Sequence, residues 1–321
     1  MTATTATATH HGPGEAFRHE AFFYAGTDGF VDGAAGFIRD GLAGGEPTLV
    51  VVSAEKIALL RSKLGSDAKD VSFADMADVG ANPARIIPAW REFVGGRPES
   101  TVTIRGIGEP IHPGRGPAEL AECHRHEALL NVAFAATPAF RLMCPYDTLA
   151  LDPEVVAEAR RTHPHVVDDG VPAPSAAFPG LDAVRAPFAE PLPEPPPHAA
   201  EMEVHGDALS AVRRLVSYHA AHVALEGQRA DDFLVAVNEI ATNSVRHGGG
   251  RGVLRLWHDA GALICEVRDA GLIDAPLAGR VRPRSGQLGG YGLWLANQLC
   301  DLVQIRATPA GNAVRLHMRL A

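Results

Sequence analysis

Residues 231–250 read DDFLVAVNEIATNSVRHGGG, and two periodicities inside this stretch decide what the C-terminal third of the chain is. Phe233, Leu234, Val237, Ile240, Ser244 and Val245 recur at the spacing of a packed helical stripe. Glu239, Asn243 and His247 stand four residues apart and share a different face. A carboxylate and a carboxamide oxygen stacked one turn apart are hard donors that suit Mg²⁺ or its waters. Gly248, Gly249 and Gly250 stop the helix. A lone polar face of this kind is more often simply solvated, so the chemical reading depends on what surrounds it.

Upstream, Leu209, Val212, Leu215, Val216 and His219 predict a helix over about 207–225, next to one over 230–247. Downstream, GVLRLWHD and ALICEVRD flank a short Gly-containing turn, an antiparallel hairpin signal. EVRDAGLI (266–273) ends a strand on Asp269, a carboxylate able to accept from an exocyclic amine, with Gly271 leaving room for a flat ring. SGQLGGYGLWLANQL (285–299) is a Gly-rich loop running into an apolar helix, whose exposed N–H groups suit phosphates. The chain closes with LVQIRA and AVRLHMRL, where Val314, Leu316, Met318 and Leu320 alternate with Arg315, His317 and Arg319. That alternation predicts a sheet with one wet face and helices on the other.

The run NEIATNSVRHG, then DAG, then GGYGL before a helix resembles the N, G1 and G2 boxes of the GHKL (Bergerat-fold) ATPases, over about residues 200–321. Within that superfamily it is most similar to the anti-sigma-factor serine/threonine kinases. The resemblance implies an α/β sandwich that binds ATP and Mg²⁺. It implies that Asn243 coordinates the metal, that His247 lies in the cofactor site, and that Asp269 binds the adenine amino group above Gly271. Gly289, Gly290 and Gly292 would form the phosphate lid, and Glu239 the general base for an attacking serine or threonine hydroxyl. Ile273 departs from the pattern, standing where many relatives carry a second glycine. The implied activity is protein serine/threonine phosphorylation, with a sigma factor and a STAS-type anti-anti-sigma protein as partners. Two other readings stay open: a non-catalytic nucleotide- or partner-binding module, and a sensor histidine kinase. The last would need a dimerising pair of helices before the first box, and His219 and His222 lack the acidic neighbour such acceptors usually carry.

The N-terminal half alternates strand and helix signals, which predicts a parallel sheet covered on both sides. TLVVVS (48–53) is a continuous β-branched run fit for a doubly buried strand, with further strands at 71–75, 101–107 and 140–144. Helices are expected around Phe30–Leu42 and over 54–64, 83–94 and 117–136. HEAFFYAGTDGF, GLAGGEPTLVVVS, RGIGEPI, ECHRHEALLNVAFA, LMCPYDT and ARRTHP resemble the MEDS sensory domain of methanogen and methylotroph regulators, over about residues 18–166. That resemblance implies a RecA/KaiC-like three-layer α/β fold sensing a small molecule. YAGTDGF occupies a P-loop position but lacks the Gly-Lys-Ser/Thr that reaches phosphates.

The organisation expected is a tail over 1–15, a sensory domain over 16–166, a Pro-rich linker over 167–199 and the ATPase-like domain over 200–321. Nine prolines between Val171 and His198 support the linker. A net charge of −9, from 29 basic and 38 acidic residues, gives no electrostatic reason to sit on nucleic acid or anionic lipid. The longest apolar run, Ala128–Ala136, is about half of the ~20 residues that a membrane span needs. No signal peptide is read at the N-terminus, and Cys123, Cys144, Cys265 and Cys300 form no CxxC pair, so a reducing cytoplasm is expected. A homodimer is compatible with all of this. Cys123, His124, His126, Cys144 and His163 are of metal-ligating type, although buried thiols and hydrogen-bonded imidazoles are the commoner state of such residues. Arg105, Glu109, Arg115, Glu119 and Glu122 are expected to form a buried ion network in preference to a ligand-binding rim, and Trp257 and Trp294 to be core.

Overall fold

The computed structural model describes residues 17–97, 102–137, 139–184, 190–283 and 290–320. Its first half carries β1 (Arg18–Tyr24), α1 (Gly26–Ala43), β2 (Thr48–Val52), α2 (Ala54–Leu64), β3 (Ser72–Asp75), α3 (Met76–Val79) and α4 (Ile86–Gly95). It continues through β4 (Ile104–Gly108), α5 (Pro117–Ala133), β5 (Phe140–Asp147), α6 (Pro153–Thr162), β6 (His165–Asp168), β7 (Val171–Pro174) and α7 (Leu181–Val184). The strands form one sheet in the order β3-β2-β4-β5-β1-β6-β7, parallel throughout except for β7.

Both faces of that sheet are apolar, which is what the unbroken TLVVV run requires. Val50 and Val52 join Phe22, Tyr24 and Met143 beneath Phe30, Ile38 and Leu60 of α1 and α2. Val51 turns the other way, with Ala21, Phe23, Leu142 and Tyr146, into a core completed by Trp90 of α4 and Leu130 of α5. The expected three-layer α/β architecture follows from this alternation. The ends of α2 are set locally: Ser53 Oγ accepts from Lys56 N at 3.3 Å, and Gly65 ends the helix at φ +60°.

The second half carries β8 (Ala200–His205), α8 (Leu209–His222), α9 (Gly227–His247), β9 (Arg251–Asp259) and β10 (Ala262–Asp269). It ends with α10 (Tyr291–Leu299), β11 (Leu302–Thr308) and β12 (Gly311–Arg319). The sheet is antiparallel, ordered β11-β12-β10-β9-β8. One face packs under the helices, with Phe233, Val237 and Ile240 of α9 meeting Leu254, Leu263, Cys265 and Leu316. This is the expected α/β sandwich.

Two features differ from expectation. The Pro-rich stretch opens as a strand, β7, which pairs antiparallel with β6 at the sheet edge, where a proline's missing N–H costs no ladder bond. The polar face of the second sheet is also largely covered rather than open to solvent. Glu266 is fully buried, Gln304, Arg306 and Arg315 are nearly so, and Trp257 and Ile264 form a small apolar cluster beside them. Leu192 of the Pro-rich stretch is buried too, and Arg315 donates to the Pro193 carbonyl at 2.5 Å. All four cysteines are buried and free.

The two halves meet through a buried ion cluster. Glu122 on α5 is 1% exposed and receives Arg280 at 3.1 Å and Arg306 at 2.8 Å, both from the second half. Arg125, one turn on, lies at 3.6 Å from the same carboxylate. Removing the one anion among buried cations leaves them uncompensated, so Glu122→Ala is expected to cost about 3–5 kcal/mol in chemical denaturation of the full chain. A loss below about 0.5 kcal/mol would show the cluster to be dispensable. The His317 ring, buried beside Arg315, is pushed down to about 4 by desolvation first and that cation second. Its folded value lies below its unfolded one. Its contribution is therefore full above pH 6.5 and lost as pH falls toward 4. Denaturation midpoints measured across that window should fall less in His317→Gln than in the parent chain.

Candidate functional site

The sequence motifs of the second half converge on the C-terminal half of α9. Glu239 and Asn243 are half-buried and His247 is exposed on the same face. Among the described residues none of the three side chains takes a hydrogen bond from the protein, so the donor atoms of this face are available.

Three glycine contacts assemble the rest. A Cβ built on Gly292, in the first turn of α10, would lie 2.5 Å from Asn243 Nδ2, so only glycine lets α10 approach that amide. A Cβ on Gly248, just past α9, would lie 2.4 Å from Asp269 Cγ, and one on Gly271 would lie 2.8 Å from the His247 carbonyl oxygen. The acid at the end of β10 is thereby pressed against the end of α9, and the start of α10 against its middle.

Asp269 is half-buried, and its Oδ1 accepts from Gly271 N at 2.9 Å and Asn312 Nδ2 at 3.1 Å. Its Oδ2 has no partner among the described residues. Asn312 then accepts from Ile273 N at 2.9 Å, which fixes the turn after Asp269. Sequence reading missed Asn312. Its role emerges only from the pairing of β10 with β12, which sets Asn312 opposite Asp269.

Gly290 adopts φ +85° and stands as the N-cap of α10 with no side-chain cap. A helix start of this kind presents its first N–H groups outward, the geometry at which anions bind. Residues 284–289, including Gly289, lie outside the described residues. Nucleotide and Mg²⁺ fit this donor set: unpartnered carboxylate and carboxamide oxygens on α9, a free acid oxygen at Asp269 and an uncapped helix start.

The first half keeps a cleft, and a carboxylate of its own stands at the P-loop position. At the P-loop position, Asp147 Oδ1 accepts from Gly26 N at 3.1 Å and from Leu149 N at 3.0 Å, so the chain's own carboxylate sits on the start of α1. A cavity of about 510 Å³ opens at the C-terminal ends of β2, β3 and β4, lined by Ser53, Lys56, Asp75, Glu109, His112 and Arg115. That edge is where parallel sheets bind ligands. Lys56 Nζ bonds Glu109 at 2.5 Å and the Tyr24 hydroxyl at 2.7 Å. Burial raises the Glu109 carboxyl above the ordinary range, opposed by Lys56.

The expected five-residue ion network is thus divided. Arg105 pairs with Glu46, Glu109 with Lys56, and Glu122 with Arg280 and Arg306. Arg115 donates to the Gly80 carbonyl at 2.6 Å, and Glu119 to Arg319 forms a further contact between the halves. Trp257 is buried as expected, while Trp294 is half-buried with Arg282 against its ring.

Comparison with known proteins assigns a family to each half of the chain. Residues 18–164 match the family model of the methanogen/methylotroph, DcmR sensory domain, and residues 203–318 match that of the histidine kinase-like ATPase domain. No curated protein matches the chain. Among solved structures, the RsbU and RsbW domains of Rv1364c from Mycobacterium tuberculosis match at 19% identity and a TM-score of 0.29. That match covers 39% of this chain and 33% of that one. Among the described residues no helix is long and apolar enough to cross a membrane. The chain is therefore a MEDS sensory domain joined to a histidine kinase-like ATPase domain.

Proposed function

We propose that the ATPase domain binds Mg-ATP and phosphorylates a serine or threonine of a STAS-type anti-anti-sigma protein, with a sigma factor as its alternative partner, in a cytoplasmic switch governed by the sensory domain. The observation that carries this reading is the convergence of Asn243, Asp269 and the uncapped start of α10 around one end of α9. Asp269 Oδ2 would accept from the adenine amino group, with Gly271 beneath the ring. The N–H groups that follow Gly290 would hold the phosphates, and the glycine lid that includes Gly289 would close over them.

Asn243 would hold Mg²⁺, which supplies charge neutralisation at the phosphates when bound. His247, at the rim of the same face, would contact the nucleotide's polar edge. Glu239 would orient the incoming hydroxyl and take its proton as the new O–P bond forms at the γ-phosphorus and the bond to the ADP oxygen breaks. Little covalent assistance is needed, so positioning and electrostatics carry the step.

Four contacts support control by the sensory domain. Asn82 Nδ2 donates to the Asn297 and Cys300 carbonyls at 3.1 and 3.3 Å, and Arg85 Nε donates to Asn297 O at 3.0 Å. Arg85 also reaches the Gln298 carbonyl. These side chains satisfy the C-terminal carbonyls of α10, the helix whose N-terminus faces the candidate phosphate site. A small molecule in the cavity beside Lys56 would therefore act on a domain that grips the lid helix from behind.

Two experiments test this reading. Glu239→Ala should abolish transfer to a STAS partner while calorimetric ATP affinity stays within a few-fold. Asp269→Ala should lose a charge-assisted hydrogen bond of about 1.5–3 kcal/mol, roughly ten- to a hundredfold in affinity. No binding of Mg-ATP at millimolar concentration would overturn the proposal, and acid-labile phosphate on the chain's own histidine would indicate a histidine kinase instead. For the coupling, Arg85→Ala should cost the end of α10 about 1 kcal/mol, seen as roughly fivefold faster amide exchange over residues 296–300. Unchanged exchange would remove the proposed route.

A further inference from the structure

Four buried side chains of the sensory domain meet at one point: His19 on β1, Glu127 on α5, Cys144 on β5 and His163 just after α6. Their candidate donor atoms all lie within 4.8 Å of one another. His19 Nε2 stands 3.1 Å from Glu127 Oε2 and 3.4 Å from Cys144 Sγ, and His163 Nε2 stands 3.3 Å from the same Glu127 oxygen. A tetrahedral zinc ion with bonds of about 2.0–2.1 Å to N or O and about 2.3 Å to S sets neighbouring donors ~3.3–3.6 Å apart. These three separations are close to those edges, and the remaining ones lie within 4.8 Å, so a small closing of the cluster completes the tetrahedron.

The groups that hold the two imidazoles from behind fix which atoms face inward. His163 Nδ1 lies 2.8 Å from the Ala159 carbonyl, which can only accept, so Nδ1 carries the proton. His19 Nδ1 lies 3.1 Å from Asn131 Oδ1, and the orientation of that amide is set by its nitrogen donating to the Thr162 carbonyl at 2.8 Å. His19 therefore also donates through Nδ1. In the neutral rings both Nε2 lone pairs face the Glu127 carboxylate, and that of His19 faces the Cys144 sulfur as well. Among the described residues, Glu127 Oε1 and His163 Nε2 are buried without a hydrogen-bond partner. An imidazole whose other nitrogen is held by a carbonyl or amide oxygen is the usual form of a metal-bound histidine.

We infer that His19, Glu127, Cys144 and His163 form a closed, buried zinc site that pins α5 and the end of α6 to the central strands β1 and β5. Two imidazoles, a carboxylate and a thiolate are a borderline-soft set suited to zinc. Thiolate and carboxylate together balance its two charges, so the filled site is neutral. On binding, the Cys144 thiol proton leaves to solvent as the S–Zn bond forms. With four protein donors no position is left open, so the ion is structural rather than hydrolytic. Cys123 and His126, the more obvious pair in the sequence, are not in the cluster: Cys123 Sγ points to the Pro110 carbonyl at 3.4 Å.

Metal content and a cobalt spectrum of the intact chain test this. The full chain, stripped with a chelator and reloaded with Zn²⁺ alone, should retain about one equivalent through dialysis. Loaded with Co²⁺ alone, it should show tetrahedral d–d bands in the visible and a thiolate-to-cobalt charge-transfer band in the near ultraviolet. Cys144→Ser should lose the charge-transfer band, and Cys123→Ser should keep it. Asn131→Ala, which leaves all four donors in place, should weaken metal retention about 10–100-fold without removing that band. The inference fails if the unaltered chain gives no charge-transfer band or retains no stoichiometric zinc, whether or not the variants fold. It fails equally if the band persists in Cys144→Ser. None of these readouts depends on nucleotide binding by the other domain.

Discussion

The C-terminal carbonyls of α10 are satisfied from another domain. Asn82 and Arg85, just ahead of α4, reach across to Asn297, Gln298 and Cys300, while the opposite end of the same helix is left uncapped at Gly290. Orphan carbonyls must find partners, and a guanidinium at a helix C-terminus also complements the dipole. The helix is thus held at its C-terminal end from another domain, while its first turn lies against Asn243 of α9. Whatever shifts Asn82 and Arg85 bears on the helix whose first turn is the proposed phosphate contact.

The same joint rests on charge placed where it is costly. Glu122 has almost no exposure and stands among Arg125, Arg280 and Arg306. Buried ions of this kind contribute little net stability but penalise any arrangement that separates them. They therefore act as a register for how the two domains sit. Glu266 repeats the device within the second sheet, receiving Arg315 and Arg268 at 2.6 Å each. Both clusters lie on or beside the face that a one-dimensional reading takes to be wet.

Much of this was legible because local rules and tertiary outcome agree. The Ser53 cap and Gly65 stop bound α2, the Val50–Val52 alternation fills both cores, and the face shared by Glu239, Asn243 and His247 survives intact. What was not legible depends on strand pairing. Arg315 and His317 look solvent-facing until the linker and α5 are laid over them. Asn312 has no visible role until β12 sets it opposite Asp269. His19 and Cys144 are 125 positions apart and become neighbours only because β1 pairs with β5, and no helical or strand period signals that. Cys144 and His163 stand among the residues of metal-ligating type in the sequence, but so do Cys123 and His126, one turn apart on α5 and outside the cluster.

The proline-rich segment between the domains is partly committed to the surface it crosses. Leu192 is buried, Arg315 holds the carbonyl of Pro193, and Arg268 pairs with Glu194 at 3.0 Å. Such a tether has little slack: its contour counts toward contact rather than reach, and a stiff proline helix cannot recoil when released. The domains would thus part by peeling rather than by swinging. A few residues added beside Leu192 would alter the order in which contacts release before altering how far the domains can travel.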